Sequence, residues 1–284
     1  MPPPTSADER RQRLELEQAA ADRLSRLHGA LELRAAVLAL LLPRPPGAAE
    51  EAWRADSHAA PEADALRLHA AQLSGPQRLP WLETLVSRMR DQPIEARQSL
   101  LEATRRVIVA NGGVRTIDRL HWLAMRQRLG ERSASGSHAP SVTDLTQLPQ
   151  SDVTAIATYT AFLSRMVPID AGSSAGAPAD AHANPNPRLS GPAWYEAVMA
   201  PWRQWAAIPT CSPPDNDALV HALRELQALP WMQRPILVRA WVGCAVAQSL
   251  DRRLSDSAAD ALRLTCALLD SPLPPPLARH YDAA

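Results

Sequence analysis

The sequence predicts an all-α protein: two related three- or four-helix bundle units, with an N-terminal helical arm and a disordered linker. Three observations carry this expectation. Apolar residues recur at helical spacing along almost the whole chain. The β-branched residues that suit strands are scarce, with 7 Ile and 13 Val among 284 residues rich in Ala and Leu. One motif occurs twice in the same register, Pro93-x-x-x-Arg97-x-x-Leu100-x-x-Ala103 and Pro230-x-x-x-Arg234-x-x-Leu237-x-x-Ala240.

In chain order, Ser6 and Glu9 form a capping-box pattern that opens a long helix from about residue 7 to Leu42, stopped by Pro43, Pro45 and Pro46. A shorter helix covers Pro61 to Leu73. Leu82, Leu85, Val86 and Met89 then fall at i, i+3, i+4, i+7, the apolar stripe of an amphipathic helix. Pro93 suits the first turn of the next one. That helix carries Ala96, Leu100, Ala103, Val107 and Ala110 on one face and Ile94, Leu101 and Ile108 on another, the pattern of a buried helix. Asn111-Gly112-Gly113 ends it with glycines free to take a left-handed cap, and Thr116 is placed to cap the helix that follows, ended by Gly130.

The domain plan follows from these elements. Residues 1–75 form the arm and 76–130 the first unit. Residues 131–192 form a linker holding one helix (151–167) and a stretch (168–192) too rich in Ala, Gly, Ser and Pro to bury a core. Residues 193–284 form the second unit, with helical stretches near 193–207, 215–229, 231–249 and 255–270, and with Pro201 breaking the first. In the repeat, the turn Asn111-Gly112-Gly113-Val114 corresponds to Asp251-Arg252-Arg253-Leu254, and the second copy is about three residues longer. A rival register that matches Leu79-Pro80-Trp81 with Leu229-Pro230-Trp231 misaligns the turns.

Composition excludes several chemistries. All 30 basic residues are Arg, against 30 acidic ones, so the net charge is zero and every mechanism that needs a lysine is ruled out. The three cysteines, Cys211, Cys244 and Cys266, form no CxxC pair and fit a reducing cytoplasm. The N-terminus has no basic stretch followed by an apolar run, and Ala35 to Leu42 is far shorter than the about 20 residues of a membrane span. Neither a secretion signal nor membrane insertion is expected.

The run Leu100-Leu-Glu-Ala-Thr-Arg-Arg-Val-Ile-Val-Ala-Asn-Gly-Gly-Val-Arg-Thr-Ile-Asp-Arg-Leu-His-Trp-Leu resembles the TerB-like helical module. It is similar in particular to the cytoplasmic C-terminal region of proteobacterial HtpX-like membrane zinc metallopeptidases. The family pattern is a helix ending Ala-Asp-Gly, an apolar residue, then an acidic or polar residue that starts the next helix. Ala110, Gly112, Val114 and Asp118 match it, with Asn111 in place of the Asp, while the second copy keeps Asp251 and loses the Gly. The resemblance covers roughly 78–130 and 215–275, and faintly 30–75. It marks Asn111, Gly112, Asp118 and Asp251 as the repeat's turn positions. The peptidase itself needs HExxH, and none of the eight His is followed by Glu or lies four residues from another. The resemblance therefore implies an accessory region without the catalytic domain, standing alone or cut from a longer HExxH metallopeptidase.

Few constellations carry chemistry. Gly172-Ser173-Ser174-Ala175-Gly176 has the letters of a nucleophile elbow without its strand–turn–helix setting. Asp56, His58, Glu62, Asp64 and His69 fit no standard ligand spacing, and Asn111 with Asp118 and His121 is a cation pattern set against a capping role. Trp194, Tyr195, Trp202 and Trp205 crowd one short segment beside the linker. They are candidate partner-docking anchors, or else core. Trp81, Trp122, Trp231 and Trp241 are expected in packing. Residues 88–132 form the one basic island, 10 Arg against 5 acids, including Arg105, Arg106, Arg115, Arg119, Arg126, Arg128 and Arg132. The expected function is a noncatalytic intracellular scaffold or regulatory module that docks a protein partner, with no enzyme activity, cofactor or metal. The alternative is nucleic-acid or acidic-partner binding through the basic island, which lacks interleaved aromatics. The sequence leaves the partner's identity and the oligomeric state open.

Overall fold

A computed structural model describes residues 6–110, 112–130, 145–167, 191–249 and 252–282. Thirteen α-helices and no strand occur among the described residues, so the fold is all-α. They are α1 (Ser6–Ser25), α2 (Ala30–Leu41), α3 (Ala49–Ser57), α4 (Ala63–Gln72), α5 (Gly75–Met89), α6 (Ile94–Ala110) and α7 (Thr116–Leu129), then α8 (Gln150–Leu163), α9 (Gly191–Met199), α10 (Asn216–Ala228), α11 (Gln233–Gln248), α12 (Asp256–Leu268) and α13 (Pro275–Asp282). They belong to two compact units, residues 1–132 and 133–283. No helix among the described residues is long and apolar enough to cross a membrane.

In the first unit α2 is the centre. From Ala35 to Leu41 every residue is buried, and the helix packs against α3, α4, α5 and α6. A helix apolar all round can be stable only when it is enclosed. Residues 30–73, expected in an arm, are thus part of the first unit. The single helix expected over 7–42 is two: the chain leaves helical geometry after Ser25, and Gly29 caps α2 in an extended conformation. The break is held from α5. Arg88 donates to the carbonyls of Leu24 (3.1 Å), Ser25 (2.9 Å) and Leu27 (3.2 Å), and Gln92 to that of His28 (3.3 Å). The helix α3 was not expected from the sequence. Its Trp53 is fully buried and donates from Nε1 to the Ala35 carbonyl at 3.0 Å.

The second unit is centred in the same way on α8, the helix expected inside the linker. From Ala155 to Leu163 only Thr158 escapes burial, and α8 packs against α9 and α10. Its hydroxyls are satisfied internally. Trp241 donates from Nε1 to Thr160 Oγ1 (2.9 Å), and Thr160 donates to the Ile156 carbonyl (2.7 Å). Thr265 donates to the Ala261 carbonyl (2.8 Å), so the Tyr159 hydroxyl is the donor in its 3.1 Å contact with Thr265 Oγ1. Buried polar groups paired in this way cost little and fix one packing arrangement. Gly191 opens α9 where a Cβ would lie 1.9 Å from the Ser164 carbonyl oxygen, so only glycine lets α9 approach α8 this closely. The second unit ends in α13, a helix the sequence reading did not foresee. Residues 131–144 and 168–190, which hold most of the linker composition and of the 168–192 stretch expected to be disordered, lie outside the described residues, and Gly191 and Pro192, at the end of that stretch, instead begin α9.

The repeat is visible in packing. Leu82, Leu85, Val86 and Met89 are buried on α5, and Leu219, Ala222, Leu223 and Leu226 are buried in the same register on α10. The register continues through Leu100, Thr104 and Ile108 on α6 and Leu237, Trp241 and Ala245 on α11. After an extra three residues, the N-cap positions Arg115 and Ser255 correspond. The two matched arginines do the same thing. Arg97 donates to the carbonyl of Leu129 (3.4 Å), at the end of α7. Arg234 donates to that of Leu269 (3.5 Å), at the end of α12, and also to Leu229 (2.9 Å) and Gln227. The rival register fails because Pro80 lies inside α5 whereas Pro230 precedes α11.

Arginines close other helix ends in the first unit. Arg78 reaches Leu40 (2.6 Å), Leu42 (3.1 Å) and Ala39 (3.3 Å) at the end of α2, and Ala70 (2.9 Å) in the last turn of α4. Arg44 reaches Ala71 (2.7 Å) and Leu73 (2.5 Å). A helix leaves its last four carbonyls without intrahelical donors, and a planar guanidinium can serve several at once. An ammonium cannot span the same set. Arg78→Lys should therefore lower the unfolding free energy by about 2 kcal/mol, the scale of a hydrogen bond to a charged group. Urea denaturation checks this, and a variant within 0.5 kcal/mol of the parent (roughly the scatter of neutral surface changes) would contradict it.

Candidate functional site

The four candidate docking aromatics do not form a surface, and the expectation is corrected for three of them. Trp194, Tyr195 and Trp202 are buried, at 0%, 0% and 2% exposure. Trp194 donates from Nε1 to the Trp241 carbonyl (3.3 Å), the Tyr195 hydroxyl to Pro209 (2.5 Å), and Trp202 from Nε1 to Leu145 (2.7 Å). Burial pushes the Tyr195 hydroxyl up to about 12. The physical reason is scale. A nine-residue helix has one face to bury, and its largest side chains supply most of the area. Pro201 does end the helix, which passes at Ala200–Trp202 into a 3-10 turn. Only Trp205 remains exposed.

The exposed apolar surface that sequence reasoning missed begins α11. Trp231 is 75% exposed, Met232 48% and Ile236 39%. Three large apolar side chains within six residues, one of them an almost naked indole, are unlike the isolated apolar residues found on any surface. Part of the signal was present in the sequence. Leu237, Val238 and Trp241 carry the buried stripe of α11, and Met232 and Ile236 fall outside its phase, whereas Trp231 lies in the turn before the helix, where phase is no guide. Arg234, one turn along, is tied to the carbonyls that end α10 and α12, so the patch stands on a braced corner.

Part of the basic island is occupied with internal pairing, through Arg106, Arg115 and Arg128. Arg106 makes a bidentate contact with Asp56, Nε to Oδ2 at 3.0 Å and Nη2 to Oδ1 at 2.6 Å. Arg34 donates to the same carboxylate at 2.6 Å and to Ser99 Oγ at 2.9 Å. Arg115 pairs with Asp118 (2.9 and 2.6 Å), and Arg128 lies 3.8 Å from Glu83. Arg105 and Arg126 are exposed and Arg119 is half-buried, while Arg132 lies outside the described residues. Arg128 and Arg88 also line a shallow groove of about 390 Å³ with Glu83, Thr84, Ser87 and Asp91. Its two acids and two arginines balance, so it favours neither sign of ligand.

At the repeat turns, Gly112 takes the left-handed conformation expected of it, with φ 78°. Asn111 and Asp251 lie outside the described residues, as does the Gly172–Gly176 run. Thr116 is not the cap of α7. That position is Arg115, whose backbone N–H donates to Asp118 Oδ2 at 3.0 Å, so Asp118 faces the helix start and is buried there. His121 is half-buried and is pushed down to about 4 by burial. It is neutral at pH 7, and its Nδ1 finds no hydrogen-bond partner. The other His-and-acid group is dispersed: Asp56 meets Arg34 and Arg106, Glu62 meets Arg23, and His58 and His69 each sit with Nδ1 against a backbone carbonyl of their own helical turn. No cluster of metal-ligating side chains occurs among the described residues.

Asp56 supplies a pH test. Its hydrogen bonds from Arg106, then the charges of Arg106 and Arg34, hold its carboxyl below the ordinary 3.8, against the opposing effect of burial. The stabilisation it confers is present above the unfolded pKa and is lost as pH falls through the lower folded one. Asp56→Asn should cost about 1–2 kcal/mol at pH 7. The gap from the parent should close as pH drops below 3.8. Urea midpoints between pH 7 and 3 read it, and a gap that does not change with pH would contradict the pairing.

Comparison with protein families, with curated proteins and with solved structures finds no match for this chain.

Proposed function

We propose that this chain is a noncatalytic helical scaffold or regulatory module that docks a protein partner, as the resemblance to TerB-like regions beside membrane metallopeptidases implies. The observation that supports the reading is the patch of Trp231, Met232 and Ile236 at the start of α11. Keeping an indole in water forgoes roughly 2–3 kcal/mol of burial. Trp and Met are also the side chains enriched at the centres of protein interfaces. The patch needs little ordering on binding, because Leu237 and Val238 anchor the helix below it and Arg234 ties its corner. Low ordering cost leaves more of the contact energy as affinity. Such a module acts in the cytoplasm.

The alternative, binding through the Arg-rich segment, has less behind it. Arg106 and Arg115 already hold carboxylates, and a phosphate would have to displace them.

The test is a paired capture: the full chain and its Trp231→Ser/Met232→Ser variant as baits in an extract of the source cells, read by quantitative mass spectrometry. The expected result is a protein retained by the parent and reduced at least about tenfold by the variant, the loss expected when a central Trp anchor is removed. Equal retention of every protein by both baits, with equal unfolding midpoints, would overturn the reading.

A further inference from the structure

The exposed side of α11 is a single stripe that runs the length of the helix, about 24 Å. Met232, Ile236, Arg239, Gly243 and Ala247 are all exposed and fall at i, i+4, i+7, i+11 and i+15, opposite the buried stripe of Leu237 and Trp241. Met232, the cap residue, already has helical dihedrals and keeps this phase. Arg239 is the one charge in the stripe. Size changes along it. The bulky end holds Trp231, Met232 and Ile236. The bare end holds Gly243 and Ala247, and a Cβ built on Gly243 meets nothing within 4 Å. The repeat sets this face apart. In the same register α6 carries Glu95, Ser99, Glu102, Arg106 and Ala110. There Ser99 accepts from Arg34, and Arg106 holds Asp56. The first unit's face is polar and bonded to its own helices, and the second unit's face is neither.

We infer that α11 pairs with α11 of a second copy of this chain, antiparallel about a two-fold axis near Ala240. The inference rests on the reading of this patch as a docking surface and names its occupant. A two-fold axis presents one surface to itself, so each contact occurs twice with its members exchanged. A residue a given distance before Ala240 then faces one about the same distance after it. Ile236 of one copy comes over the Gly243 position of the other, and Met232 over Ala247.

The bulky end of each helix thus fills the bare end of the other, the large-against-small matching that closes an interface without voids. A parallel pair would set the bulky ends against each other and leave the bare ends apart. A foreign partner gives no reason for the two ends of one stripe to complement each other. Arg239 stands at the edge of the stripe beside the axis, where its long stem carries the guanidinium out to water.

Sedimentation of the full chain at about 1–100 μM reads the pairing, since one helix face gives an area at the low end of specific interfaces and an affinity in the micromolar range. The parent's mass should rise with concentration from 30.9 kDa toward twice that value. Gly243→Gln fills the bare end and leaves Trp231, Met232 and Ile236 in place. The chain has room for the added side chain, and an interior glycine weakens a helix, so this variant should keep a parental or higher unfolding midpoint and yet stay monomeric. The Trp231→Ser/Met232→Ser chain should stay monomeric as well. A parent that remains at 30.9 kDa throughout would overturn the inference. So would a Gly243→Gln chain that pairs as the parent does. The broader docking reading fails separately: a monomeric parent that still captures a different protein, lost by Trp231→Ser/Met232→Ser, sinks self-pairing and leaves that reading standing.

Discussion

Each short helix that ends inside a packed unit leaves carbonyls without donors, and in this chain a guanidinium comes to meet them. Arg88 closes α1, Arg78 closes α2, Arg44 closes α4, and Arg97 and Arg234 close α7 and α12. The side chain has to be arginine for geometric reasons. Its donors lie in one plane and diverge, so a single group can bridge the end of one helix to another, as Arg78 does between α2 and α4. The positive charge also lies at the negative end of the helix dipole. A helix end closed in this way is buried without loss only when the helix that supplies its arginine is seated as well. The thirteen helices among the described residues, averaging about three and a half turns, would otherwise expose or orphan a large number of carbonyls.

The repeat shows the constraint acting twice. Arg97 and Arg234 each lie four residues after the matched proline and reach equivalent ends, though the turns between differ in length and composition. The central helices α2 and α8 share no motif, only an apolar surface on every side. What the two copies have in common is thus a mechanical plan: one enclosed helix, a neighbour carrying a buried tryptophan (Trp53 or Trp194), and a hairpin tied off by arginine. The copies differ where one of them is extended. The second unit has α13 on its α11–α12 pair, where the Tyr281 hydroxyl donates to Asp260.

How much of this the sequence carried depends on which property marks an element. The stripes at Leu82–Met89 and Leu219–Leu226 were legible because period alone identifies a one-sided helix. The register of the repeat was legible because proline and arginine are position-specific. The membership of α2 and α8 was not, since an all-round apolar helix has no phase to reveal its neighbours. The break at Leu27–Gly29 was hidden for another reason: its cause, Arg88, lies about sixty residues away. Trp194, Tyr195, Trp202 and Trp205 were open to a surface reading as well as a core one because the four crowd one segment, but crowding says nothing about direction. Phase does, and it separates Met232 and Ile236 from the stripe of Leu237 and Trp241, but Trp231 lies in the turn before α11, where phase says nothing. The Tyr281–Asp260 contact had no sequence signal, because Tyr281 comes from α13, a helix the periodicity did not announce.

The same reasoning changes what the charge pattern means. A segment with twice as many arginines as acids reads as a surface for anions, and that inference assumes the guanidinium groups face outward with nothing to bind. Here the segment 88–132 supplies Arg88 and Arg97 to carbonyls, Arg106 to Asp56, and Arg115 to Asp118. In a chain without lysine, arginine has to serve both as solubilising charge and as structural donor, and sequence gives no direct mark of which role each one has. Spacing gives an indirect one: an arginine at a fixed distance after a proline, repeated in a second copy, is structural. By that criterion the informative surface of this protein is apolar. It lies where an indole stays in water beside an arginine that the fold has already engaged.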